Sequence, residues 1–245
     1  MKNAIKRFGA LVLDTVYPRV CPVCRDVVTP KGALVCPECR SRLPYVAEPT
    51  CMGCGKPIAS EQNEFCRDCE QKKHSFEKGF AVFVYDDVMQ QAVGDYKYRN
   101  QKELAEFFAA EMAVYFQKRM TALNGEALIP VPIHATRKRY RGYNQTEILC
   151  RMLSEQLGIP VLDCMERNKK TAPQKTLDAA DRLQNLESAI RLKKEVVQKQ
   201  KVPHTAVLVD DIYTTGSTAE ACARVLLRGG VRKVYIFSLC IGTEQ

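Results

Sequence analysis

From residue 79 onward, short apolar runs alternate with stretches whose apolar positions recur every three to four residues. Residues 79–85 (GFAVFVY) and 127–133 (ALIPVPI) read as buried strands, and so do 159–162, 207–209 and 231–240. Between them, 103–123 reads as an amphipathic helix, 145–157 as a helix closing at Gly158, and 217–227 as a helix stopped by Gly229 and Gly230. This alternation predicts an α/β domain built on a mainly parallel sheet with helices on both faces. Ligands in such sheets bind beyond the carboxyl ends of the strands, so function is expected in the loops after 133 and 209.

The first third of the chain does not share this pattern. Residues 5, 8, 12 and 16 are apolar at helical spacing and Pro18 ends the run, which predicts an amphipathic helix over 1–18. Lys2, Lys6 and Arg7 would allow that helix a membrane surface; docking on the protein's own core is the expectation. Residues 19–73 hold few large apolar side chains, too few for a segment of that length to fold alone. They do hold eight cysteines in four Cys-x-x-Cys pairs, and the pattern of Cys21, Cys24, Cys36 and Cys39 repeats in Cys51, Cys54, Cys66 and Cys69 thirty residues later. Each pair places two sulfurs on one turn, and two turns complete a tetrahedral thiolate site. Two structural zinc ions are therefore expected to stand in for the missing core, each with roughly 10–16 kcal/mol of binding energy that drives folding. The expected pairing is sequential, although the spacing also permits an interleaved one, and iron–sulfur ligation is the less suitable alternative. The remaining cysteines (150, 164, 222 and 240) fall in or beside the predicted helices and strands, as small core residues do. The chain thus divides into a helix at 1–18, a double zinc ribbon at 19–75 and an α/β domain at 76–245.

With 245 residues, 46% hydrophobic and 27% charged, the composition excludes a disordered or collagen-like chain. No apolar run reaches the ~18–20 residues of a membrane span. The basic start is too short in apolar length for a signal peptide and is interrupted by Asp14, so a cytoplasmic chain is expected. The net charge of +9 is local: residues 136–201 carry 15 basic and 8 acidic side chains, while 202–245 balance at 4 and 4. After 133 the chain reads HATRKRYRGYNQTE, a basic loop with Arg137, Arg139, Arg141 and Gly142. On the residues alone two readings of it stand open: a contact to a nucleic-acid backbone with Tyr140 and Tyr143 for stacking, or a solvated basic face. Residues 164–193 are polar and basic, with helical periodicity only in their second half, and read as a mobile lid.

The segment AVLVDDIYTTGSTAEACARVL carries the most chemistry. A strand delivers Asp210 and Asp211 to its carboxyl end, and Thr214, Thr215, Gly216, Ser217 and Thr218 then open a helix. Hydroxyls, a glycine and a helix N-terminus make a phosphate cradle. Carboxylates repel phosphate, so their presence calls for a ligand that also carries hydroxyls or a divalent cation; a sugar phosphate meets both demands. A P-loop would need a Lys after the second glycine, and none is there.

Residues 207–219 resemble the signature of type I phosphoribosyltransferases, which bind 5-phosphoribosyl 1-pyrophosphate (PRPP) with magnesium. The resemblance implies that Asp210 and Asp211 hold the ribose hydroxyls, directly or through magnesium, that residues 214–218 hold the 5-phosphate, and that the loop after the first core strand binds pyrophosphate. The four Cys-x-x-Cys turns, VPIHATRKRYRGYNQ, the spaced set Arg167, Thr171, Gln174, Arg182 and Asn185, and VDDIYTTGST together resemble the ComF-type competence proteins over residues 9–242. That resemblance implies a role in natural transformation, with single-stranded DNA and other competence-machinery proteins as partners, and makes Arg167, Gln174 and Arg182 lid candidates. Three functions follow: a competence factor binding PRPP and single-stranded DNA, an active phosphoribosyltransferase with a nitrogen acceptor, or a zinc-ribbon adaptor that senses PRPP. No residue presents itself as a catalytic base; His134 reads as structural, and His74 and His204 carry no functional signal.

Overall fold

The computed structural model describes residues 19–98, 101, 103–168, 179–195 and 202–243, the side chains of 179–183 excepted. The expected helix at 1–18 lies outside them, as does Gln174. Strands β1 (Lys78–Val84), β2 (Ala127–Pro130), β5 (Thr205–Tyr213) and β6 (Lys233–Ile241) form one all-parallel sheet in the order β1-β6-β5-β2. The mainly parallel α/β sheet expected from the alternation is therefore present.

The side-chain alternation of the strands sorts the core into two layers. On one face Val207 and Val209 of β5, Leu128 of β2 and Phe237 of β6 pack with helices α3 (Asp87–Tyr98), α4 (Leu104–Arg119) and α6 (Gln145–Leu157). On the other, Ala206, Leu208, Ile129 and Ile236 pack with α8 (Ser217–Arg228). Strand order advances outward from β2, through a parallel bridge between Leu128 and Val161, and inward from β5 to β6. The direction reverses between β2 and β5, and at such a switch point the two carboxyl ends open a crevice.

Several elements differ from the periodicity. The expected basic loop is a short helix, α5 (Ala135–Arg141), capped by the His134 side chain and closed at Gly142 with φ 78°. Residues 159–162 make only the single bridge to β2. The strand read at 207–209 continues to Tyr213, so both aspartates lie within it. Helix α3 has no counterpart among the elements expected from the sequence, although Met89, Ala92, Val93 and Tyr96 are buried at helical spacing. Of the segment 164–193, read as a mobile lid, the described residues are anchored: β3 (Met165–Arg167) and β4 (Ile190–Leu192) pair antiparallel, and α7 (Ala179–Ala189) precedes β4. Cys164, Met165, Leu186 and Ile190 are buried there.

The two ribbons close the β1 edge, one on each face. The linker between them runs along β1, with Val46 N–H donating to Val82 O (2.9 Å) and Val84 N–H to Pro44 O (2.7 Å), which covers an otherwise open strand edge. The first ribbon packs with α3 and α4 through Val28, Val35 and Leu43, with ion pairs Arg25–Asp95 (2.9 Å) and Arg40–Glu111 (3.1 Å). The second lies on the α8 face beside Phe76. Its turn touches the start of β1 backbone to backbone, Gly79 N–H donating to Gly53 O at 2.8 Å, and a Cβ at Gly79 would overlap the Cys54 carbonyl.

Candidate functional site

The thirty-residue repeat is also a repeat in space. Arg25 and Gly55, each following a second cysteine, both take the left-handed conformation (φ 67° and 81°). The bridges Val20–Val27 and Thr50–Pro57 correspond, as do helices α1 (Pro37–Arg40) and α2 (Arg67–Gln71). Cys21, Cys24, Cys36 and Cys39 gather their sulfurs within 4.8 Å of one another, and so do Cys51, Cys54, Cys66 and Cys69. The pairing is sequential. No disulfide joins these thiols, and four sulfurs about 2.3 Å from a tetrahedral ion stand about 3.8 Å apart, so both groups fit zinc.

The phosphate turn sits at the end of β5, in the crevice of the switch point. Gly216 (φ 75°) is the N-cap of α8, and its position leaves no room for a side chain against the Tyr213 hydroxyl. Thr214 and Thr215 are exposed, Ser217 and Thr218 half-buried, and Thr215 Oγ1 lies 3.1 Å from Ser217 Oγ. Asp210 is buried, and its Oδ1 accepts the Asp211 N–H at 2.8 Å. Burial first, and the adjacent Asp211 charge second, push the Asp210 carboxyl up to about 7. Asp211 pairs with Lys97 Nζ at 2.9 Å, at the end of α3. The two acids thus differ in their surroundings: Asp211 faces a lysine, whereas Asp210 is buried with its carboxyl raised. Among the described residues, the only groups of three or more metal-ligating side chains gathered within reach of one ion are the two cysteine sets.

The basic helix divides into free and engaged cations. Arg137 and Arg139 are exposed. Arg141 donates to Gln145 Oε1 (3.0 Å) and Tyr98 Oη (2.9 Å) and lies over the Tyr98 ring, so it braces the helix. Tyr140 is 81% exposed and suits stacking, whereas Tyr143 is buried with its hydroxyl donating to Tyr96 O. Arg167 is brought beside α5 by a bridge to His134. Burial foremost, and the charge of Arg137 after it, lower the Arg167 pKa.

The double zinc ribbon domain family matches residues 12–70. Competence protein F of Haemophilus influenzae is 33% identical over 221 residues, covering 83% of this chain and 95% of that protein. The chain belongs to the competence protein F family. The DNA utilization protein YhgH of Escherichia coli K12 is 30% identical (91% and 97% covered), and the competence protein ComFC of Bacillus subtilis 28% (80% and 79%). Among solved structures, the glutamine PRPP amidotransferase of Bacillus subtilis aligns at TM-score 0.37 with 18% identity, over 55% of this chain and 26% of that one. The adenine phosphoribosyltransferase of Leishmania tarentolae aligns at 0.37 with 10%, over 60% and 74%. Likeness at these scores is general and assigns no residue.

In this family member, four side chains without a signature in the sequence join the site. Lys97 closes on Asp211. His74, Ser75 and Glu220 link the second ribbon to α8: Ser75 N–H and Oγ donate to Glu220 at 2.9 and 2.5 Å, and Arg224 Nε donates at 2.8 Å. Burial alone would raise the Glu220 carboxyl, but His74 beside it and the hydrogen bonds from Ser75 and Arg224 hold it at about 2. A cavity of about 410 Å³ lies between this ribbon and the turn, lined by Lys72, Lys73, His74, Thr215 and Ser217 among others. Helical spacing from Met89 would have led to Lys97; nothing periodic leads to His74 or Glu220.

Proposed function

We propose that this protein serves the handling of incoming DNA in the cytoplasm, binding PRPP at the end of β5 and contacting single-stranded DNA through its basic face. The observation that carries the reading is the joining, at the switch point of a parallel sheet, of an acid pair with a glycine-led hydroxyl turn. Ribose hydroxyls donate to Asp210 and Asp211, and the 5-phosphate accepts from the backbone and hydroxyls of 214–218. Lys97 pairs with Asp211 at 2.9 Å, and magnesium, were it to accompany PRPP, would supply neutralisation of the pyrophosphate charge. The names of the curated relatives, which speak of competence and DNA utilization, support the cellular role. Exposed Arg137, Arg139 and Tyr140 supply cations and a stacking face for single-stranded DNA or for pyrophosphate.

Calorimetry with PRPP and magnesium tests the site: binding is expected in the wild type and lost in Asp210→Ala/Asp211→Ala, and equal binding in both would refute it. For DNA, Arg137→Ala/Arg139→Ala is expected to flatten the salt dependence of affinity by about 0.7 per lost phosphate contact. An unchanged slope would return these arginines to pyrophosphate. Pyrophosphate release in the presence of a base or DNA would add turnover to binding.

A further inference from the structure

The second zinc centre and the phosphate turn are connected by two side-chain routes. In the first, His74 stands between a zinc ligand and α8: its Nε2 lies 3.2 Å from Cys69 Sγ and its Nδ1 3.7 Å from Glu220 Oε2. A metal-bound thiolate only accepts, so Nε2–H is the donor on that side. Glu220 lies in the first turn of α8, and its N–H donates to Gly216 O at 2.8 Å. The second route runs through rings. His74 stacks on Phe76 (4.4 Å between centroids), Phe76 meets Tyr213 edge-on (6.5 Å), and the Tyr213 hydroxyl fills the space beside Gly216. Both routes leave the ribbon within residues 69–76 and end within 213–220.

The first ribbon's ion pairs run elsewhere, to α3 and α4. The two centres therefore differ in what they hold, although their ligand sets are copies. A rotation of the Cys69 side chain on metal loss would release the His74 ring, and Glu220 would then lose that neighbour and keep its bonds to Ser75 and Arg224. The turn depends on the angle at which α8 begins, because its donors are the first N–H groups of that helix.

We infer that the second zinc centre positions the phosphate turn, with His74 as the positioning residue that transmits its geometry to Glu220 and Gly216. This rests on the reading of the turn as the PRPP site.

The test uses the full chain loaded with both zinc ions. Zinc release to a chromogenic chelator is followed in wild type, His74→Leu and His74→Gln, and amide exchange over 214–220 is followed by mass spectrometry. In His74→Leu one of the two zinc ions is expected to leave about ten- to a hundredfold faster, the usual effect of losing an outer-shell partner. Exchange over 214–220 is expected to quicken while that of β2 and α6 stays unchanged. His74→Gln, which keeps an N–H donor, is expected between the two. By reciprocity, saturating PRPP raises the affinity for that same zinc in the wild type, read by chelator competition at equilibrium. Faster zinc release with unchanged exchange over 214–220 would overturn the coupling, and equal release in all three proteins would remove His74 from it. Should His74→Leu not fold, Glu220→Gln is read by the same exchange measurement, where faster exchange over 214–220 is expected and unchanged exchange overturns the coupling. If the wild type fails to bind PRPP while exchange over 214–220 still responds to His74→Leu, the PRPP reading falls and the positioning role stands.

Discussion

Replacing Asp210 by asparagine is expected to stabilise the fold at pH 8 and to abolish PRPP binding. Asp210 lies in β5 with its carboxyl raised from 3.8 to about 7 by burial and by the neighbouring Asp211. In the unfolded chain the same group ionises near its ordinary value. Below about pH 4 both states hold the proton and the group is neutral for stability. As pH rises from there to about 7 the native state keeps a proton that the unfolded state has released, so stability falls with each unit of pH. The interval is about three units at about 1.4 kcal/mol each, so the penalty reaches about 4 kcal/mol above pH 7. Asparagine removes the ionisation and still accepts the Asp211 N–H, but its amide hydrogens need partners in a buried place, at about 1–2 kcal/mol. The net gain at pH 8 is then about 2–3 kcal/mol, or roughly 5–10 °C in the melting midpoint. The assay is thermal unfolding of wild type and Asp210→Asn at pH 5, 6, 7 and 8 in zinc-containing buffer. Loss of zinc at low pH affects both proteins alike, so the difference between them isolates Asp210. That difference is expected to be small at pH 5 and to level off above 7; a pH-independent difference, or a variant less stable than wild type at pH 8, would refute the reasoning.

Lys97→Met leaves the Asp211 carboxylate without its cation in a site where both side chains are at most 14% exposed; a loss of about 3 kcal/mol in urea unfolding is expected, and Lys97→Met/Asp211→Asn should recover most of it. Gly79→Ala would drive a methyl group into the Cys54 carbonyl, so about 1–3 kcal/mol of strain is expected, read as loss of one zinc at lower chelator concentration with the other retained. Gly216→Ala combines positive φ with a clash at Tyr213 and should weaken PRPP binding at least tenfold by calorimetry while both zinc ions stay bound. Native mass spectrometry should find two zinc ions per chain, and their removal should expose ribbon residues such as Val28 and Leu43 to proteolysis.

How far the sequence could be read depended on whether a feature was local. The zinc sites were legible because a Cys-x-x-Cys turn is a complete half-site and the next turn, fifteen residues on, supplies the other half; the thirty-residue repeat copies the whole site, while the pairing is fixed only in the fold. The acid pair and the turn were legible because strand, carboxylates, glycine and hydroxyls follow one another within one stretch. Strand 207–209 was read too short because Asp210 and Asp211 broke its apolar run, although the strand continues through both to Tyr213. Helix α3 escaped because Gly94, Asp95 and Lys97 interrupt its apolar stripe; Asp95 and Lys97 turn out to be the residues that tie it to Arg25 and to Asp211. His74 and Glu220, 146 positions apart by their numbers in the chain, leave no trace in any periodicity. Their relation exists only because the second ribbon folds back onto the α8 face.

The same folding-back changes what the ribbons can be. A ribbon that served only as a nucleic-acid module would need a free face and no fixed relation to the sheet. Here the first ribbon holds Asp95, two residues from the lysine that neutralises Asp211, and the second holds Glu220, four residues after the glycine of the turn. The acid pair and the hydroxyl turn are thus each braced from one ribbon, on opposite faces of one sheet. Since neither ribbon has enough apolar surface to fold without metal, the geometry of both features is expected to depend on zinc.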